Sequence, residues 1–172
     1  DWDHAVARGA PILAEMSGYG ASCDHSHLVR PDAGGQVRAL RQALDQAGLA
    51  PKDIGYVNAH GTATREGDPT EIQALKTVFG AHAEHLAVSA TKSMHGHVMG
   101  ATGAIEALIT VLALWQDAIV PTAHLDAIDP ACAGVRHITQ AEHGSDLQAA
   151  LCSSFAFGGS NAVLAFKACR LP

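Results

Sequence analysis

The sequence predicts an α/β domain of about five strands, on three observations. Segments of helical periodicity alternate with short strand-like runs from end to end. Nearly half of the 172 residues are apolar and 16% are charged, a globular composition with enough chain for one domain around a core. No linker, low-complexity tract or internal repeat divides the chain.

The elements follow in order. Residues 1–8 read as a short helix and residues 11–17 as a strand. The stretch GYGASCDHSHLVRPDAGG is rich in turn formers and long enough to be a functional loop. QVRALRQALDQAGL spaces Val37, Leu40, Leu44 and Leu49 as one face of a helix that ends near Gly48. Residues 54–59 (IGYVNA) form a strand, followed by the loop HGTATREGD. Asp68-Pro69 reads as an N-cap with proline in the first helical position, and Glu71 falls at the capping-box position. That helix runs to Phe79 and stops at Gly80. Residues 86–90 (LAVSA) are a strand, and a long helix is expected to start near Gly96. Strands at 149–154 and 162–166 bracket the glycine turn FAFGGSN.

Composition narrows the function classes. A net charge of −6 argues against nucleic-acid binding, because no basic stripe displaces counterions from phosphates. Cys23, Cys132, Cys152 and Cys169 form no CxxC pair, so no zinc knuckle or thioredoxin-type motif is indicated, and a reducing, cytoplasmic setting is expected. The opening residues do not read as a signal peptide, and none is expected there. The apolar run at 98–115 is interrupted by Gly100, Thr102, Gly103, Glu106 and Thr110, which predicts a buried core helix rather than a membrane span. The chain begins at Asp1 inside a helical pattern, and the expectation is a fragment, a processed product or one piece of a split protein.

Three glycine-bearing loops each follow a strand, where open α/β sheets collect ligands. In NAHGTAT, Thr62 and Thr64 point the same way if the loop is extended, and they suit an amide-bearing ligand arm. The alternative is that they and His60 satisfy their own loop backbone. In TKSMHGH, Lys92 lies five residues before His97, and a histidine opening the long helix would serve as a neutral hydrogen-bond donor. Against that stand a surface lysine and a capping histidine. His95 and His97 could pair on a metal, but no third ligand sits at a recognised spacing. His25, His27, His82 and His85 read as ordinary surface or loop residues. Glu106 needs a partner or a cation if its helix is buried, and none if it lies at an exposed edge. Phe155 and Phe157 precede Gly158-Gly159, as a hinged gate or as core packing.

Taken together and in order, these segments resemble a family. YVNAHGTATREGDPTE, SATKSMHGHVMGATGA, VPTAHL and LCSSFAFGGSNAVLAF are similar to the second-half motifs of elongating β-ketoacyl-acyl carrier protein synthases. The opening DWDHAVARGAPILAEMSGYGASCDHSHL resembles the family too, so the likeness covers residues 1–172. It implies a thiolase-like fold, with this chain as the C-terminal half of a duplicated, layered α/β/α/β/α architecture and a mixed five-stranded sheet. It also implies that His60 and His97 stabilise the enolate formed when the malonyl unit loses carbon dioxide. Lys92 would order and polarise the site, with Glu71 a nearby structural acid. Thr62 and Thr64 would hold the phosphopantetheine arm, beside Gly158 and Gly159. Phe157 would gate the site and complete an oxyanion hole.

No tightly bound cofactor is implied beyond that arm, which is the substrate's carrier. Asn58, Ala59 and Glu106 fall where some relatives bind a structural Na⁺ or K⁺ ion, although Ser153 stands where several of those carry asparagine. The implied partners are the N-terminal half, an acyl carrier protein and a second subunit in a dimer. The family's reactive cysteine belongs to the first half, in a serine- and alanine-rich elbow that none of the four cysteines here matches. Cys152 falls on a strand just before the gate. The expected function is decarboxylative condensation in fatty acid or polyketide synthesis. The alternative is a non-catalytic, chain-length-factor-like partner, which the retention of His60, Lys92 and His97 counts against.

Overall fold

The computed structural model describes residues 1–169. A short helix, α1 (Trp2–Ala7), precedes β1 (Ala14–Cys23), and α2 (Ala33–Ala47) follows. Asp32 caps α2 by accepting from the N–H groups of Gly34 and Gly35, and Gly48 ends it in the left-handed conformation. Next come β2 (Tyr56–Asn58), α3 (Gly67–Phe79), β3 (Ala87–Ser89), the single turn α4 (Lys92–His95) and α5 (Thr102–Gln116). The remaining elements are β4 (Ala118–Ile119), β5 (Arg136–His137), β6 (Glu142–His143), β7 (Ala149–Phe155) and β8 (Ser160–Ala168).

The main sheet is mixed and six-stranded, in the order β1-β8-β7-β2-β3-β5. β7, β2, β3 and β5 run parallel, and β8 and β1 are antiparallel additions. The prediction of five strands misses β5, which is two residues long and carries no hydrophobic pattern. β4 and β6 pair separately.

Helices cover both faces of this sheet. Val37, Leu40 and Leu44 of α2 and Ile72 and Leu75 of α3 pack with Leu151, Phe155 and Val163 on one face. Ala113 and Leu114 of α5 pack with Tyr56, Ala150 and Cys152 on the other. Strands covered on both sides are buried almost continuously, as β7 is. α5 belongs to the segment 99–116, the one stretch among the described residues long and apolar enough to cross a membrane. The expected burial of that helix holds for one face only: Glu106 and Thr110 are fully buried, whereas Leu108 and Trp115 are exposed.

Three local expectations are corrected. The strand placed at 11–17 starts at Ala14 and continues to Cys23, through residues read as a loop. Gly18 and Gly20 are strand residues whose missing side chains let α2 lie directly on β1; a Cβ on Gly18 would stand 2.2 Å from the Ala43 carbonyl oxygen. α3 begins at Gly67, so Asp68 sits in its first turn rather than at the N-cap. The long helix begins at Thr102 rather than near Gly96, because Gly96 (φ 75°) and Met99 (φ 52°) both leave helical geometry. His97 therefore lies in the connecting loop rather than in α5, with Nδ1 3.0 Å from the hydroxyl oxygen of Thr102, the first residue of that helix.

Candidate active site

The parallel strands β2, β3 and β7 end together, and the three loops singled out by sequence leave from that edge. His60 follows β2 in a loop that turns sharply at Gly61 (φ 38°) and Ala63 (φ 57°). Two carboxylates from α3 hold this loop. Glu71 accepts from the backbone N–H of His60 (2.9 Å) and of Gly61 (3.0 Å). Asp68 accepts from the N–H groups of Thr62 and Ala63, both at 3.1 Å. Glu71 is thus a loop anchor rather than half of a capping box. Burial pushes its carboxyl up to about 7, although the two backbone donors pull the other way. Asp68 was read from sequence only as a cap; a carboxylate in the first turn, one turn before Glu71, was the signal for this second anchor.

Lys92 ties the loop to the helix behind it. Its ammonium donates to the carboxylate of Glu106 at 2.5 Å, and to the carbonyl oxygen and Nδ1 of His60, the latter at 3.2 Å. Both ends of the Lys92–Glu106 pair are buried, with side chains 6% and 0% exposed. Such a pair holds only because each charge compensates the other. Glu106 therefore has a partner, and burial raises its pKa while Lys92 lowers it.

The arrangement fixes the protons of His60. An ammonium has donors and no lone pair, so Nδ1 must accept from Lys92 and the ring proton resides on Nε2. Burial, then the charges of Lys92 and His97, lower the His60 pKa to about 3. His60 is thus a neutral imidazole that presents Nε2–H. The His97 ring lies edge-on to it, with centroids 5.6 Å apart. Nδ1 of His97 accepts from the N–H of Met99 at 3.1 Å and lies 3.0 Å from the Thr102 hydroxyl oxygen. In its neutral form His97 also carries its proton on Nε2. The two imidazoles thus come from separate loops and lie side by side, each with Nδ1 engaged by the protein.

The other sequence candidates are placed as follows. The loop is not extended at Ala63 (φ 57°); the hydroxyl oxygens of Thr62 and Thr64 lie 3.2 Å apart, and that of Thr64 accepts from the N–H of Gly67 at 3.1 Å, as the loop-backbone alternative has it. The ring of Phe155 packs 6.2 Å from that of His60, whereas Phe157 is 76% exposed at the turn of Gly158 (φ 77°) and Gly159 (φ 74°). Gly159 is demanded by Asp24, whose Cβ would stand 2.2 Å from an added Cβ. Asn58 donates to the Glu106 carbonyl oxygen and to Thr110, and its own oxygen accepts from Thr91. Ala59 follows it at the end of β2. The second carboxylate oxygen of Glu106 is buried without a partner. Among the described residues no group of three or more His, Cys, Asp or Glu is placed to hold a metal ion. Cys152 is buried among the residues facing α5, and burial pushes its thiol up to about 12, the opposite of an activated nucleophile.

Comparison with known proteins gives the family and the fold. Residues 13–126 match the family model described as "Beta-ketoacyl synthase, C-terminal domain". The chain is 46% identical over 167 residues to 3-oxoacyl-[acyl-carrier-protein] synthase 2 of Staphylococcus aureus, covering 96% of this chain and 41% of that protein. A β-ketoacyl synthase structure from Burkholderia phymatum superposes with a TM-score of 0.94 at 41% identity, over 99% of this chain and 41% of the other. A type II PKS acyl-carrier protein in complex with its ketosynthase bound to the hexaketide gives a TM-score of 0.94 at 31% identity, over 98% of this chain and 42% of the matched one. The class is that of the ketosynthases with a thiolase-like fold. The chain belongs to the β-ketoacyl synthase family as its C-terminal domain, and it spans about 41% of the length of such relatives.

Proposed function

We propose that this chain supplies the decarboxylation site of a 3-oxoacyl-acyl carrier protein synthase whose nucleophilic cysteine lies in the other part of the enzyme. The observation that supports it best is the pair His60 and His97, each with Nδ1 occupied and Nε2–H left to donate.

In this reading the thioester oxygen of a malonyl unit sits between the two N–H groups. The bond to the carboxylate breaks, carbon dioxide leaves, and the electron pair delocalises onto that oxygen as an enolate. The donors stabilise the developing charge without giving up their protons. The enolate carbon then attacks the acyl thioester on the cysteine, forming the new carbon–carbon bond and releasing the thiolate. Thr62 and Thr64 line the approach of the phosphopantetheine arm, and Phe157 swings on Gly158 and Gly159 to admit it. The unpartnered carboxylate oxygen of Glu106, beside Asn58 and Ala59, suits a Na⁺ or K⁺ ion that would have a structural role.

Mixing experiments test the division of labour. Alone, the chain should gain no mass from an acyl-carrier thioester, because none of its four cysteines matches the family's reactive elbow and Cys152 is buried. With the cysteine-bearing half, the mixture should form a 3-oxoacyl product. Stoichiometric acylation of Cys152 would overturn the assignment, and a stable but inactive complex would favour the chain-length-factor-like reading.

A further inference from the structure

Behind Lys92 lies a ring of side chains that the proposed reaction does not touch. Thr91 donates its hydroxyl proton to Oδ1 of Asn58 at 3.3 Å, and the Asn58 amide donates to the Glu106 carbonyl oxygen at 3.1 Å. Thr110 donates to that same oxygen at 2.7 Å. The Glu106 carboxylate meets Lys92, which is the next residue after Thr91, so the ring closes. It joins the end of β2, two residues before His60, to the start of α4, which carries Lys92, and the middle of α5, which carries Glu106.

One further group touches this ring. His95, one turn after Thr91 on α4, places Nε2 3.2 Å from the Thr91 hydroxyl oxygen. A hydroxyl has one proton, and here it goes to Asn58. The His95 contact is therefore satisfied only when Nε2 carries the hydrogen and donates. With the opposite tautomer, His95 would compete for the Thr91 proton and leave the oxygen of Asn58, a fully buried residue, without a donor. The other nitrogen, Nδ1, is buried and has no protein partner to hold that opposite form.

Resting on the function proposed above, we infer that His95 is a positioning residue for the reaction. It donates from Nε2 to Thr91, which sends the Thr91 proton to Asn58 and holds Glu106, and through it Lys92, in register with His60. It touches no substrate and transfers no proton.

The test uses the chain joined to its complementary half, with His95→Leu, which removes the donor, and His95→Gln, whose amide can reach the same place. His95→Leu should slow malonyl decarboxylation roughly tenfold at unchanged KM, since small misplacements of catalytic groups carry costs on the order of 10²-fold. His95→Gln should recover most of that loss. Nitrogen-15 spectra should find the Nε2–H tautomer of His95, and an Asn58 side-chain amide resonance displaced in His95→Leu but not in His95→Gln. Wild-type rates in His95→Leu, equal losses in both variants, or the Nδ1–H tautomer would each overturn the inference. If the wild-type enzyme decarboxylates nothing, the functional reading falls, and the tautomer with the Asn58 resonance still decides the relay.

Discussion

His60 shows how one contact sets both a protonation state and a pH dependence. Its pKa is lowered to about 3 from 6.5, so between these values the unfolded chain binds a proton that the folded chain does not. Stability then rises with pH across that window and is lost on acidification from about 6.5 towards 3, at up to about 1.4 kcal/mol per pH unit from this group. Glu71 works in the opposite sense. Its raised pKa, about 7, makes the folded state the better proton binder above 4.5, so its contribution falls as pH rises towards 7. Comparing the wild-type chain with His60→Ala cancels the Glu71 effect. The stability difference between them, from denaturant titrations, should move against the wild type as pH falls from 6.5. A pH-independent difference would mean that His60 is not held neutral. His60, Lys92 and His97 were singled out through the resemblance of their motifs to the family's, not through spacing alone. Their hydrogen-bond partners were not legible, because Glu71, Asp68 and Glu106 reach the site from helices, and only the fold brings those helices to the strand ends.

At the level of elements, glycine caused the main misreading. GYGAS carries a turn-like composition, and residues 18–23 looked like the start of a long loop. They continue β1 because Gly18 and Gly20 face α2, and helix and strand approach too closely there for any side chain. A Cβ on Gly20 would stand 1.9 Å from the Ala39 carbonyl oxygen. Gly20→Ala should therefore destabilise the chain by roughly 1–3 kcal/mol or more, as overpacking against backbone does, read as a lower denaturation midpoint. An unchanged midpoint would mean that α2 can move away freely. The helices themselves were readable, α2 above all, since Leu40 and Leu44 follow the 3.6-residue period and Gly48 ends it. The late start of α5 was not, because Met99 adopts a left-handed conformation that its residue type does not announce.

The whole molecule leaves an apolar face unpaired. The outward side of α5 presents Leu108 (57% exposed) and Trp115 (56% exposed), with Val98 and Met99 exposed in the segment leading to it. Large apolar side chains left exposed along one helix suit a contact surface. The isolated chain should self-associate or bind a complementary chain tightly. Leu108→Glu combined with Trp115→Glu should shift it towards monomer in sedimentation without changing its circular dichroism. A wild-type chain that is monodisperse and melts cooperatively as a monomer would contradict this. The α/β class was legible because helix-period and strand-like segments alternate, and the layered architecture came from the family resemblance. Which side of α5 would remain bare was not legible, since its residues are apolar nearly all round and only Glu106 and Thr110 mark the inner face.

The central claim is that the N–H donors of two imidazoles, His60 and His97, stabilise the enolate, and carbon dioxide release measures it most directly. In the chain joined to its cysteine-bearing half, His60→Ala and His97→Ala should each lower malonyl-carrier decarboxylation by about 10²–10³, the typical cost of losing one oxyanion donor. Acyl transfer to the cysteine should continue in both variants. Decarboxylation at near wild-type rate in either variant, or loss of acyl transfer in step with it, would contradict the roles assigned to these two residues.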